Sequence, residues 1–500
     1  MEFILEIASY IFWVILAIMI LVFVHELGHF LFAKLFKMRV DRFSIGFPPK
    51  IVGKRIGETE YVIGATPLGG YVKIAGMVDE SMDTDFIASE PKPWEFRSKP
   101  VWQRMIVITA GVIFNMILAV VIFSGIKLVY GEDYIPAKNI TGVYVEENSI
   151  AFRMGLRTGD RVLAVSGKEL KEYGDLDAVE GLLADPMTIT VLRGSDTLTF
   201  EGPPDIMTQL NRNPNGLGMS ARPSLVGGVL EGSGAAQAGL APGDRIVSIG
   251  GHPVRFWNEM TIRVQESEGR PILIRWERPD SLVERDPAFS EAIVATPTTH
   301  PDSLDDESAS SMGDGQGPRV IGKRGDHVVF EAEVVPQKGP DDDRYYLGIS
   351  GPLPNDPMLL REFGMEHRTY TFTEAILSGI SVTWVNTKAI VTSLKRIFTG
   401  RENLRENVGG PIMIAKVTKE AAEAGAVVFW RIVALLSITL AIMNILPIPA
   451  LDGGHLMFLI YEGITRKEPS LRVRMAMQQV GMILLLVFMT FLIFNDILRF

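Results

Sequence analysis

Apolar and polar positions fall in blocks along this 500-residue chain. Four blocks approach the roughly 20 mostly apolar residues that a helix needs to cross a bilayer. Ile7–Val24 has 18 residues without a charge and runs on through HELGHFLFAKLF, 25–36. Met105–Ile126 has 22, Ala424–Leu446 is interrupted only by Arg431, and Met475–Phe494 has 20. They predict transmembrane helices over 1–36, 101–129, 424–451 and 475–497. The polar remainder divides into loops 37–100 and 452–474 and a long segment, 130–423. A cleaved signal peptide fits the first block poorly, because its leading MEFILE is acidic and no small-residue cleavage site follows. Seven Lys/Arg lie between Lys34 and Arg55, four between Lys92 and Arg104, and Arg466, Lys467, Arg472 and Arg474 follow the third block. By the positive-inside rule both loops are cytoplasmic and 130–423 is outside. Arg401, Arg405, Lys416, Lys419 and Arg431 run against that assignment.

The outside segment contains a repeat. AFRMGLRTGDRV (151–162) matches AAQAGLAPGDRI (235–246) at an offset of 84, whereas Leu217-Gly218-Met219 and Leu347-Gly348-Ile349 are offset by 130. The second copy has therefore gained about 46 residues, assigned to 279–326, with ten acidic and four basic residues. Its Pro/Ser/Asp/Gly-rich composition and lack of period predict a disordered loop. The repeated A-x-x-x-G-L-x-x-G-D-x-I/V before a strand resembles the PDZ domain, giving one copy over 130–222 and another over 223–352. A PDZ groove takes a peptide C-terminus or an extended segment by strand addition. Copies that only block access are the alternative.

His25-Glu26-Leu27-Gly28-His29 places two imidazoles at i and i+4 on one helix face, where both can reach one metal, with a glutamate between them able to reach a water on it. Zinc there would acidify the water and polarise a carbonyl. Two satisfied histidines and a surface glutamate are the bland alternative. Ionisable groups inside a membrane span are costly and mark functional sites. Catalytic zinc takes three protein ligands. Asn444-Ile-Leu-Pro-Ile-Pro-Ala-Leu-Asp452-Gly-Gly-His455 ends the third block, and the first and third spans, crossing in the same direction, end on the same side. Asp452 is thus the natural third ligand, with helix capping as its alternative and His455 as a rival ligand. Pro447 and Pro449 break the helix, and exposed backbone at that depth is tolerated where it lines a wet cavity.

Together, HELGH in a first span, two PDZ-like repeats after the second and N-x-x-P-x-P-x-L-D-G-G at the third resemble the site-2 protease family, peptidase family M50. The resemblance covers nearly the whole chain. It implies a polytopic α-helical membrane protein with four transmembrane helices, a membrane-associated β-hairpin and two tandem PDZ domains (α+β) between helices 2 and 3. It also implies zinc on His25, His29 and Asp452, with Glu26 as base and Asn444 holding the substrate backbone beside Pro447 and Pro449. Residues 59–76 read as two short strands around Pro67-Leu68-Gly69-Gly70. They resemble the family's hairpin, which would pair with an unwound substrate through Gly69, Gly70 and Tyr71. Thr371–Phe398 within 353–423 is an amphipathic helix lying on the outer membrane surface or packed on the PDZ domains. Gly46-Phe47-Pro48-Pro49, where relatives commonly read GFGP, and the acidic insertion depart from the family pattern.

The expected activity is zinc-dependent endoproteolysis inside the bilayer of a bacterial inner membrane. Its substrates would be single-pass membrane proteins, such as a pre-trimmed anti-sigma factor or remnant signal peptides. The alternative of another class is a catalytically inactive, membrane-anchored PDZ adaptor. It would be expected to lose Glu26 or Asp452, and both are present. The net charge of −10 and pI near 5.4 argue against nucleic-acid binding. Zero cysteines exclude thiol catalysis and thiolate metal sites. The insertion supplies −6 of the −10, so the acidic balance is local.

Overall fold

The computed structural model describes residues 2–77, 90–213, 215–283, 318–339, 343–352 and 364–499. They form two compact units, Met1–Glu132 with Arg368–Phe500, and Asp133–His367.

In the first unit the four apolar blocks are helices Glu2–Leu35, Val101–Tyr130, Ala426–Ile445 and Leu471–Arg499, each long and apolar enough to cross a membrane. Lipid tails are as apolar as leucine, so such helices associate through close packing of small residues. Ala17, Ala119 and Ala434 accordingly sit in the shared core with Leu21, Phe123 and Val433. Gly28 shows how close the first two helices come: a Cβ there would lie 2.5 Å from the Ala110 carbonyl oxygen. The helix Phe372–Phe398 starts at a Thr371/Glu374 capping box and packs against the second span at Gly379, where a Cβ would lie 2.9 Å from the Val120 carbonyl oxygen. The fourth helix is tied down near its end. Buried Asp496 accepts the amides of Gly410, Ile412 and Met413 at 2.9–3.0 Å and so caps helix Pro411–Glu423.

Two sequence expectations need correction here. The 59–76 segment does not fold as a hairpin on itself. It is one bent strand, Thr59–Ile74, and Val40–Ile56 is its antiparallel partner. Phe43 pairs with Tyr61 on one side and Val72 on the other, and Ile45 with Ile63 and Gly70, so the 40–45 stretch lies between the two legs. The 70–74 leg is left on the outside of the sheet. The segment 452–474 is also not simply a loop, since Asp452–Thr465 is a helix that begins on the aspartate itself.

The second unit holds two β-rich repeats. One has a four-stranded antiparallel sheet in the order Lys168–Glu169, Arg161–Val165, Thr188–Arg193, Asp196–Glu201. The other has five strands in the order His252–Pro253, Arg245–Ile249, Ile272–Pro279, His327–Val334, Arg319–Arg324. The sequence offsets recur as structure, with Tyr144–Val145 pairing Met219–Ser220 and Gly228–Val229 pairing Ile349–Ser350. Ser149 and Ser233 each cap a short helix, and each lies against a glycine, Gly218 or Gly348, with φ of 75° and 81°. Both flanks of the predicted disordered loop 279–326 are ordered. Pro279 ends a strand, Asp280–Val283 is a helical turn and Arg319–Arg324 is the fifth strand. Residues 284–317 lie outside the described residues.

Candidate metal centre

His25 and His29 fall one turn apart on the first helix, and both are buried. Asp452 approaches them because the third span ends at Ile445 and the chain turns through Leu446–Leu451 before the next helix starts. The glycines after Asp452 permit that turn: a Cβ on Gly453 would sit 2.0 Å from the Leu446 carbonyl oxygen, and one on Gly454 2.7 Å from that of Ile448. The three ligand atoms form a triangle. His25 Nε2 is 3.2 Å from His29 Nε2 and 3.1 Å from Asp452 Oδ2, and His29 Nε2 is 3.5 Å from Asp452 Oδ2.

This geometry fits zinc. Donor atoms about 2.0–2.2 Å from a tetrahedral zinc lie about 3.3–3.5 Å from one another. Asp452 Oδ2 is also a buried carboxylate oxygen without a hydrogen bond, facing two imidazole nitrogens, which is costly unless a cation completes the set. His455, the rival ligand, is not among the residues whose ligand atoms cluster. It lines a cavity of about 210 Å³ with Arg104, Glu462 and Arg474.

Glu26 is half-buried between the two histidines. The outer leg of the sheet passes directly against it: a Cβ on Gly70 would lie 3.1 Å from Glu26 Cγ and 2.7 Å from the Ser44 carbonyl oxygen. Tyr71 stacks on Phe47 at 6.4 Å and its hydroxyl accepts a hydrogen bond from Arg42 at 3.1 Å, while Gly69 has no room for a side chain beside the Phe47 ring. Asn444 reaches the cluster, its Nδ2 lying 3.3 Å from His25 Nε2. Pro447 is exposed in the chain break, and Pro449 is where the fourth span touches it, since a Cβ on Gly481 would sit 1.9 Å from the Pro449 carbonyl oxygen. All the residues read from the sequence thus belong to this first unit, and Glu26, Gly70 and Asn444 adjoin the triangle.

Sequence reading missed the contribution of the second span. His29 Nδ1 donates to the Val107 carbonyl at 2.8 Å. Asn115 Nδ2 lies 3.2 Å from His25 Nδ1, and the Asn115 carbonyl accepts a hydrogen bond from Ser437 Oγ at 2.8 Å. Gly111 faces both rings, and a Cβ there would lie 2.5 Å from His29 Nε2. The available signal was small: a single amide in an uncharged run of 22 residues, four positions after a glycine and so on the same helix face.

Residues 13–488 match the family model described as peptidase family M50. The chain is 32% identical over 528 aligned residues to the regulator of sigma-E protease RseP of Escherichia coli (strain K12), covering 100% of both proteins. It is 31% identical to the protein of the same name from Salmonella typhimurium (strain 14028s / SGSC 2262), with 97% of each chain covered. Protease RseP of Yersinia pestis is 30% identical, again over 97% of each.

Proposed function

The chain belongs to peptidase family M50 and is a zinc metalloprotease of the site-2 type, and from that premise we propose that it cuts peptide bonds within the transmembrane segments of single-pass proteins. The observation that carries this reading is the His25–His29–Asp452 triangle, formed between the first candidate span and the helix that follows the third, with Glu26 and the backbone of Gly70 beside it.

Zinc held by the triangle would supply Lewis acidity to the scissile carbonyl and to the attacking water. Glu26 would take a proton from the attacking water as its oxygen bonds to the scissile carbonyl carbon, and return that proton to the amine as the C–N bond breaks. Asn444 offers an amide to the substrate backbone beside the triangle. A helical substrate hides its peptide bonds in i→i−4 hydrogen bonds, so it must first be held extended. The 70–74 leg is suited to that, because an added strand would run past Glu26. The two β-rich repeats read as PDZ domains on the outer side of a bacterial inner membrane, excluding substrates that keep a bulky ectodomain. The basic loops favour a metal centre toward the cytoplasm. Anti-sigma factors shortened by a first protease, and remnant signal peptides, fit these limits, and the similarity to regulators of sigma-E protease favours the first.

Purified protein mixed with a single-pass substrate tests the chemistry and the gating together. Glu26→Gln should lower cleavage by about 10²–10⁴-fold, the span of general-base contributions, and retain zinc. A folded domain fused to the outer end of the substrate should block cleavage by the wild type. Undiminished cleavage by Glu26→Gln overturns the proposal.

A further inference from the structure

The two histidines are oriented in chemically different ways. His29 Nδ1 faces the Val107 carbonyl at 2.8 Å, and a carbonyl can only accept. Its ring proton is therefore fixed on Nδ1 and its Nε2 lone pair always faces the metal position. His25 Nδ1 instead faces the side-chain amide of Asn115, which carries a donor on one end and an acceptor on the other. In the structure the amide nitrogen is 3.2 Å from His25 Nδ1, and Asn115 Oδ1 is buried without a hydrogen-bond partner. Asn115 is 0% exposed. Asn444 Nδ2, also a donor, lies 3.3 Å from His25 Nε2, and a neutral imidazole accepts at one nitrogen only, so both amides cannot keep these orientations.

We propose that Asn115 is a positioning residue that selects the tautomer of His25: turned by half a rotation about its terminal bond, its orphaned Oδ1 accepts from His25 Nδ1–H and leaves Nε2 free to bind the metal. Three observations carry it, namely the contact to Nδ1, the unpartnered oxygen on the same amide, and the anchoring of the residue's backbone by Ser437. In that orientation Asn115 accepts at Nδ1. A hydrogen bond to the far nitrogen of a metal-ligating histidine typically contributes 10–100-fold to affinity. The inference rests on the metal site described above.

The test measures zinc affinity by chelator competition, and the visible spectrum of the cobalt-substituted protein, for wild type, Asn115→Ala, Asn115→Leu and Asn115→Asp. Alanine and leucine should each weaken zinc binding by about 10–100-fold and alter the cobalt spectrum. Leucine is the stricter variant because it leaves no space for a water to replace the amide. Aspartate, an acceptor only, should restore affinity to within a few-fold of wild type. If alanine and leucine bind zinc as wild type does, or aspartate binds as weakly as leucine, the amide oxygen has no such role and the proposal fails. A wild-type protein that binds no zinc would instead overturn the metal site itself. Should leucine not fold, the alanine–aspartate comparison decides alone.

Discussion

At the scale of single residues, the metal position is defined as much by missing atoms as by ligands. Gly28 and Gly111 let the first two helices approach until His25 and His29 touch backbone on the second span. A methyl group at 111 would fall 2.5 Å from His29 Nε2 and 2.7 Å from His25 Nε2. No adjustment of a flexible side chain relieves that clash, because the neighbours are the ligand atoms themselves. Gly111→Ala should therefore abolish zinc binding while the spans still assemble. Near-stoichiometric zinc in purified Gly111→Ala would contradict this account. The helix itself should survive, since alanine is a better helix former than glycine by about 1 kcal/mol.

At the scale of elements, what had to be built is a third ligand from 423 positions beyond His29, and the devices holding it differ in how visible they were in the sequence. Asp452 could be found because two odd-numbered spans end on the same side and because prolines and glycines announce a break. The helix that starts on Asp452 was announced only by the capping alternative for that aspartate, because the two glycines after it are poor helix formers. The true partner of the 59–74 strand was hidden as well, because strand pairing is non-local and the intervening strand resembles loop in its charges. The pair that locks the new helix in place is Arg104 on the second span with Glu462, whose two carboxylate oxygens take both Nη atoms. Their side chains are 7% and 13% exposed, and removing one partner of such a buried pair costs about 3–5 kcal/mol. Glu462→Ala should thus lower both the melting temperature and zinc affinity, since Asp452 rides on the same helix. Arg104→Met combined with Glu462→Leu should recover much of the loss, because replacing both charges leaves none orphaned. A double variant no more stable than Glu462→Ala would show that the pair does not hold the helix.

At the scale of the whole molecule, the duplicated β-rich repeat carries the same ion pair in two settings. Asp160 is held by Arg193, and Asp244 by Arg278, each through two guanidinium nitrogens at 2.6–2.8 Å. The aspartates are equally hidden, but the Arg193 side chain is 38% exposed and that of Arg278 only 3%. Losing the aspartate therefore has unequal consequences. Arg193 can turn into water, whereas Arg278 is left as a buried charge, so Asp244→Asn should destabilise its repeat by about 3–5 kcal/mol and Asp160→Asn by much less. Acid makes the first repeat's change without mutation. Burial pushes the Asp160 carboxyl up, but the hydrogen bonds from Arg193 and from the Arg157 amide pull it further down, leaving it below the usual aspartate value. A carboxyl held low in the folded state binds its proton less readily than in the unfolded chain. Its stabilisation is thus fully present above the unfolded value of about 3.9 and is lost as the pH falls through the lower folded value. Hydrogen exchange followed from pH 6 to pH 3 should show protection across Arg161–Arg193 falling below about pH 4, and the fall should be absent in Asp160→Asn. Equal losses in wild type and Asp160→Asn would assign the acid sensitivity to other carboxylates of that repeat.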